Sequence, residues 1–383
     1  MIYFPRKIFN SVKKSLYKNK VLILYGARQV GKTALVKKIL EDFSDEEQIY
    51  LNADEFDIRL MFESAQNFMD LKKIIGEKKI IVIDEAQRIT DIGIKLKILF
   101  DNLDKDVQII ATGSSSFELA NSINEPLTGR SISYVLFPLS IEEVSKDSLD
   151  VQRNISNFIL YGSYPGIYSL PVQEAKNHLR ELTEQYLFKD LLNISGVKKS
   201  DLLVKLLKLL AYQVGQIVSN SELAESLRVD QGTVAKYIEI LEKTFVIFRL
   251  GSYSSNLRNE IKKSQKIYFF DLGMRNALIN DFNELELRPD FGNLWENFAL
   301  IERMKSNTYS GCKPNYYFRR NYDKQEVDLV EDWGAEKELQ CFEFKYRMKK
   351  KDKFPKAFIA SYPESSRQII DKGNFVDLLA LSS

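Results

Sequence analysis

Histidine is almost missing from this chain: His178 is the only one in 383 residues. That excludes Ser-His-Asp hydrolysis in most forms, H-E-x-x-H zinc chemistry and histidine-based nucleases. Cysteine is nearly as scarce. Cys312 and Cys341 form no disulfide framework, which fits a reducing cytoplasm, and with a lone histidine they make a poor zinc site. No apolar run reaches the length of a membrane span, so no membrane partner is expected. The first residues lack the apolar core and small-residue cleavage site of a signal peptide. There is no strong charge of one sign either. The net charge is +2, so any nucleic-acid contact would have to come from local patches. What remains for chemistry is carboxylates, lysines, hydroxyls and a bound divalent ion. The length suggests two or three domains, and 44% hydrophobic with 28% charged residues describes an ordinary globular protein.

Against those absences stands one full motif. Gly26-Ala27-Arg28-Gln29-Val30-Gly31-Lys32-Thr33 fits the phosphate-loop pattern G-x-x-x-x-G-K-[ST] at every fixed position. An apolar run, Val21-Leu22-Ile23-Leu24, precedes it, and Leu35, Val36, Ile39 and Leu40 follow at helical spacing. Strand, loop and helix therefore occur in the required order. The loop's N–H groups would cradle phosphates, Lys32 would reach the β- and γ-phosphates, and Thr33 would bind Mg²⁺. Ile80-Ile81-Val82-Ile83-Asp84-Glu85 reads as a central strand ending in two acids. Asp84 suits contact with Mg²⁺ through the groups that ligate it, and Glu85 suits orienting and deprotonating the attacking water. A further strand ends in Thr112-Gly113-Ser114, which makes Thr112 and Ser114 candidate sensors of the γ-phosphate. Arg130, in Leu127-Thr128-Gly129-Arg130, is a candidate arginine finger, in cis or from a neighbouring subunit.

The rest of the chain changes character. Residues 1–20 are expected to form an entry helix with Ile8, Val12 and Leu16 on one face. Residues 140–194 read as a helical lid broken by turn chemistry at Tyr161-Gly162-Ser163-Tyr164-Pro165-Gly166. His178 falls in it as a partly exposed helix residue. Helices at 221–227 and 231–243, with Asp230 as N-cap, give a helix-turn-helix pattern, with wing strands at 245–250 and 267–271. Gln231, Thr233, Lys236 and Tyr237 would face outward. Arg258, Lys262, Lys263 and Lys266 would form a basic loop between the strands. Near the end, Glu326-Val327-Asp328 puts two acids on one strand face. Glu343-Phe344-Lys345 follows on the next strand, and Glu296 lies on an upstream helix. This is the PD-(D/E)xK nuclease arrangement: Glu296, Asp328 and Glu343 would hold Mg²⁺, and Lys345 would steady the water or the developing charge. Lys349, Lys350, Lys351 and Lys353 follow as a candidate phosphate-binding run.

With these stretches in place, the chain resembles the bacterial and archaeal AAA+ ATPases with a C-terminal domain of unknown function. In that family this domain comprises a winged helix and a restriction-endonuclease-like core. The carriers are the phosphate loop, Asp84-Glu85-Ala86-Gln87, Leu127-Thr128-Gly129-Arg130, Phe270-Asp271-Leu272-Gly273, Trp295-Glu296-Asn297, Glu326-Val327-Asp328 and Glu343-Phe344-Lys345. Gly162-Ser163-Tyr164-Pro165 departs from the family's Gly-Gly-aromatic-Pro turn, and Lys189 stands where an arginine is expected before Asp190. The resemblance implies ATP binding and hydrolysis. The expected fold is α/β: a phosphate-loop NTPase sheet over 1–139, a helical lid over 140–197, a winged helix over 198–277 and a nuclease-like domain over 286–383. The expected function is a Mg²⁺-dependent ATPase whose nucleotide state controls a module acting on DNA. The alternative is an ATP-regulated switch whose nuclease-like core is inactive and binds DNA or a protein. An oligomer is compatible with both.

Overall fold

The computed structural model describes residues 3–114, 126–185, 200–253, 265–321, 325–334, 338–348 and 353–380. The chain divides into two compact units, residues 1–138 with 243–245, and residues 139–242 with 246–383.

The first unit is built on a five-stranded parallel sheet: β1 (Val21–Tyr25), β2 (Gln48–Asn52), β3 (Ile80–Asp84), β4 (Gln108–Gly113) and β5 (Ser131–Val135), in the order β2-β3-β4-β1-β5. Every residue of β1, β3 and β4 is buried, as the continuous apolar runs require of strands covered on both faces. Ile81, Ile83, Ile109 and Ala111 pack with Leu96 and Leu99 in one core cluster. Because the strands are parallel, their C-terminal ends share one edge, and the acids and hydroxyls of the motifs gather there.

Gly26 is required at its position. A Cβ there would lie 2.2 Å from the Leu136 carbonyl oxygen. The entry helix is shorter than expected and spans only Phe9–Lys14. Ile8 and Val12 are buried as predicted, but Tyr17 and Asn19 take left-handed backbone (φ 58° and 52°), which ends the helix and turns the chain into β1.

The second unit carries a seven-stranded mixed sheet. Its strands are β6 (Ile217–Val218), β7 (Ile247–Ser252), β8 (Gln265–Phe269), β9 (Asn315–Arg320), β10 (Glu326–Asp332), β11 (Gln340–Phe344) and β12 (Ser366–Ile370), in the order β12-β11-β10-β9-β7-β8-β6. This departs from the expected boundary between 277 and 286. The β7–β8 hairpin and the C-terminal strands are one sheet, joined where Gly251 and Ser252 pair with Tyr317 and Phe318. The expected helices appear at Asn220–Leu227 and Gln231–Lys243, and the Asp230 carboxylate accepts from Thr233 N at 2.8 Å.

Two expectations about this region are corrected. Tyr237 is buried rather than outward-facing, because it falls on the same helical stripe as Val234, Ile238 and Leu241. Lys266 belongs to β8 and is 2% exposed, not part of a basic loop. Arg258, Lys262 and Lys263 lie outside the described residues, as do Lys189 and Asp190.

The turn at Gly162 is locked from inside this unit. The buried Asp271 carboxylate accepts from Ser163 N at 2.7 Å and Met274 N at 2.9 Å. Gly162 sits at φ 72°, and a Cβ on it would meet Asp271 Oδ1 at 2.1 Å. The two family stretches, Gly162-Ser163 and Asp271-Leu272-Gly273, are thus the halves of one joint. Lys305 adds to it, donating to the Leu139 carbonyl and to Glu302 Oε1 at 2.9 and 2.7 Å.

Candidate functional site

At the C-terminal edge of the parallel sheet, Lys32 is 4% exposed, and its ammonium donates to the carbonyls of Gly26 and Ala27 at 2.9 Å each. The loop thus holds its own lysine over the hollow where phosphate oxygens would sit. Thr33 Oγ1 donates to Asp84 Oδ2 at 2.7 Å. The same buried carboxylate accepts from the hydroxyls of Tyr50 and Thr112. Burial and Asp84 together push the Tyr50 phenol up, so it stays a donor. Glu85 follows in left-handed backbone (φ 51°, ψ 40°), a conformation that costs a non-glycine residue about 1–2 kcal/mol. Its N–H donates to Thr112 Oγ1 at 3.2 Å. Its carboxylate accepts from Gln87 Nε2 at 2.6 Å, which also donates to Ser114 Oγ at 3.0 Å.

The donor set suits a nucleotide with Mg²⁺. Thr33 and Asp84 would hold the ion, which when bound would neutralise charge between the β- and γ-phosphates. Arg28 is half-buried, Gln29 is exposed at φ 62°, and Val30 is buried beneath the loop. Three partners escaped the sequence reading. Tyr50 and Gln87 are ordinary residues in a strand and a turn until the register is known. Arg6 lies far upstream, yet its buried guanidinium donates to the carbonyls of Val30 at 2.7 Å and Phe137 at 2.6 Å, fastening the underside of the loop.

Arg130 is not brought to this site. Its carbonyl accepts from Val21 N at 2.9 Å, at the start of β1. The loop follows the five residues of β1, roughly 16 Å along the strand. Its guanidinium pairs instead with Asp101 at 2.8 Å. A finger role in cis is therefore ruled out by the strand direction.

The second unit gathers acids on its own sheet. Carboxylate oxygens of Glu296, Glu326 and Asp328 lie within 4.8 Å of one another. Glu296 projects from the helix Phe291–Tyr309, and the other two alternate along β10. Glu343, on the neighbouring β11, is reached through Lys345, whose ammonium lies 2.9 Å from Glu343 Oε2 and 3.8 Å from Asp328 Oδ2. The converging trio therefore contains Glu326 where Glu343 was expected. Lys266 was also missed. Its ammonium is 2.8 Å from Glu296 Oε1 and 2.5 Å from Glu326 Oε1. The Tyr268 hydroxyl donates to Glu296 Oε1 at 2.5 Å. Glu343 is 7% exposed, and its Oε1 has no hydrogen-bond partner among the described residues. Lys349, Lys350 and Lys351 lie outside the described residues, and Lys353 is exposed.

Burial, reinforced by Asp328, pushes Glu296 up to about 7 and Glu343 up to about 8; burial also raises Asp328. A carboxyl raised in the folded state stabilises it fully below the unfolded pKa and stops doing so as pH rises through the folded one. The metal-free protein is therefore expected to lose stability between pH 4.5 and about 8, and Glu343→Gln to flatten the upper part of that fall. Urea midpoints in EDTA across this range check it; parallel curves for the two proteins would refute it.

Three stretches of the chain match family models. Residues 18–145 match a family model described as an AAA domain. The chain carries an AAA domain. Residues 152–285 match a domain of unknown function (DUF8612), and residues 291–377 match another (DUF4143). The chain is 28% identical over 321 residues to the uncharacterized protein Rv2008c of Mycobacterium tuberculosis, covering 83% of this chain and 69% of that one. It is 27% identical over 335 residues to the uncharacterized protein MJ1637 of Methanocaldococcus jannaschii, covering 76% and 70%. The Pif1 helicase from Candida albicans overlaps 48% of each chain at 14% identity with a TM-score of 0.27, too slight a likeness to carry an argument. The Lys32, Thr33, Asp84, Glu85 and Thr112 cluster lies wholly within the AAA domain. Among the described residues no helix is long and apolar enough to cross a membrane.

Proposed function

We propose that the protein is a Mg²⁺-dependent ATPase whose nucleotide state controls a C-terminal module combining a winged helix with a PD-(D/E)xK-like core. The observation that carries the ATPase reading is the Asp84 carboxylate. It gathers the hydroxyls of Thr33, Tyr50 and Thr112 at the mouth of the phosphate loop, with Glu85 beside it. In this reading Lys32 exchanges its two loop carbonyls for phosphate oxygens. Glu85 accepts the proton of the attacking water, and the Gln87–Ser114 bridge keeps its carboxylate aimed. Arg130 acts only from a neighbouring subunit, if the protein assembles. Phosphate release with Mg²⁺ and ATP, measured over a range of protein concentrations, tests both points. A rate per chain independent of concentration removes the finger.

For the C-terminal core, DNA is the proposed partner. Gln231 and Lys236 are exposed at the start of their helix, and Lys345 stands beside two acids. A second reading, an ATP-regulated switch with an inactive core, is favoured by Lys266, a cation already bound among the carboxylates. Incubating plasmid and single-stranded DNA with Mn²⁺, with and without ATP, separates the two. Cleavage abolished by Lys345→Ala, with at least tenfold loss of rate, supports the nuclease. Binding without cleavage supports the switch.

A further inference from the structure

The acids of the C-terminal core do not stand alone. Once all four are ionised, Glu296, Glu326, Asp328 and Glu343 carry four negative charges against two ammonium groups, Lys266 and Lys345, which leaves two, the charge of one divalent ion. Arg320 approaches Glu326 from the rim at 3.8 Å with 37% of its side chain exposed, where water screens it. The two lysines differ in origin. Lys345 directly follows β11, the strand that carries Glu343. Lys266 is on β8, in the hairpin, which carries none of the four acids. Its side chain is 3% exposed, and its ammonium touches two of the three carboxylates whose oxygens converge, while lying 5.5 Å from the Phe318 ring centre. Meanwhile Glu343 Oε1 is buried with no partner among the described residues, an acceptor site that Lys266 and Lys345 leave unfilled.

We infer that Lys266 is a built-in counter-ion that competes with a divalent cation for Glu296 and Glu326, so that cation occupancy of the core depends on where the β7–β8 hairpin sits. The inference rests on the reading of these acids as a cation site. With Lys266 seated, the ammonium fills the place between Glu296 and Glu326, while Glu343 Oε1 keeps an acceptor that no described residue fills. A shift of β8 withdraws the ammonium and leaves carboxylates that repel one another, which a divalent ion then bridges. Lys266 is a positioning residue here, since it acts on the ion's ligands. The hairpin is continuous with the helix-turn-helix stretch, so a ligand bound by those helices would have a direct lever on the site.

The test uses the full-length, nucleotide-free chain and Mn²⁺ itself, with free Mn²⁺ counted by electron paramagnetic resonance. Lys266→Met should gain one Mn²⁺ per chain, bound at least tenfold more tightly than any at this cluster in wild type. Lys266→Met/Asp328→Asn should lose it. A phosphate-loop ion would appear equally in all variants and cancels. Lys266→Gln, which keeps a hydrogen-bond donor and drops the charge, should behave like Lys266→Met. If either variant is unfolded in EDTA, millimolar Mn²⁺ should restore folding; failure to do so overturns the inference. If wild type already binds an Asp328-dependent Mn²⁺ and Lys266→Met binds no tighter, the gate is wrong although the cation site stands. If no variant gains an Asp328-dependent ion, the reading of the cluster as a cation site fails with it.

Discussion

Lys32→Ala is expected to abolish ATP binding, while Glu85→Gln binds ATP and loses turnover by about 10²–10⁴-fold, the usual contribution of a positioned general base. The two substitutions act on different steps. Lys32 lies inside the loop, bonded to the carbonyls of Gly26 and Ala27, so its loss removes the charge aimed at the phosphates and loosens the loop that cradles them. Glu85→Gln keeps the size and the backbone bond to Thr112 Oγ1, and removes only the ability to take a proton. Calorimetric titration with ATP and a phosphate-release assay separate them. Retained binding in Lys32→Ala would sink the phosphate-loop reading, and an unchanged rate in Glu85→Gln would remove Glu85 as the base.

Glu331→Ala is expected to destabilise the protein by about 3–5 kcal/mol, the loss seen when one member of a buried ion pair is deleted. Arg303 and Glu331 are both fully buried, with two bonds between them at 2.9 and 2.8 Å, and Asn307 adds a third to the carboxylate at 2.8 Å. Taking the carboxylate away leaves the guanidinium inside without the charge that compensated it. The double variant Arg303→Met/Glu331→Leu should recover most of the loss, because neither charge then remains to be desolvated. Urea unfolding measures both. A loss below about 1 kcal/mol in Glu331→Ala would show that this pair does little for the fold.

The phosphate loop and the strand ending in Asp84-Glu85 could be read from the sequence because local chemistry dictates them. An apolar run long enough for one strand, the glycine spacing of the loop, and acids at a strand end can all be read from neighbouring residues. Tyr50, Gln87 and Arg6 could not be read this way, since their roles depend on register and on a chain crossing more than a hundred residues away in sequence. The same limit explains Arg130. Its motif looks like a finger, but only the parallel direction of β5 beside β1 reveals which edge it occupies. In the C-terminal core, alternation correctly put Glu326 and Asp328 on one face. Lys266 was misread because a lysine near a hairpin normally faces water. Here Glu296, Asp328 and Glu326 overcome the penalty of burial and keep it charged.

The seam between Gly251-Ser252 and Tyr317-Phe318 bears on how this protein can be divided. The matched family regions part between residues 285 and 291, and the sheet crosses that gap. A piece beginning at residue 286 would carry β9 to β12 but not β7 or β8. It would present β9 as a bare strand edge with open backbone donors and acceptors, a template for pairing with other copies. It would also leave Glu296 without Lys266 and Tyr268. The boundary in sequence is thus not a boundary in hydrogen bonding, and the smallest separable C-terminal piece must start before β7.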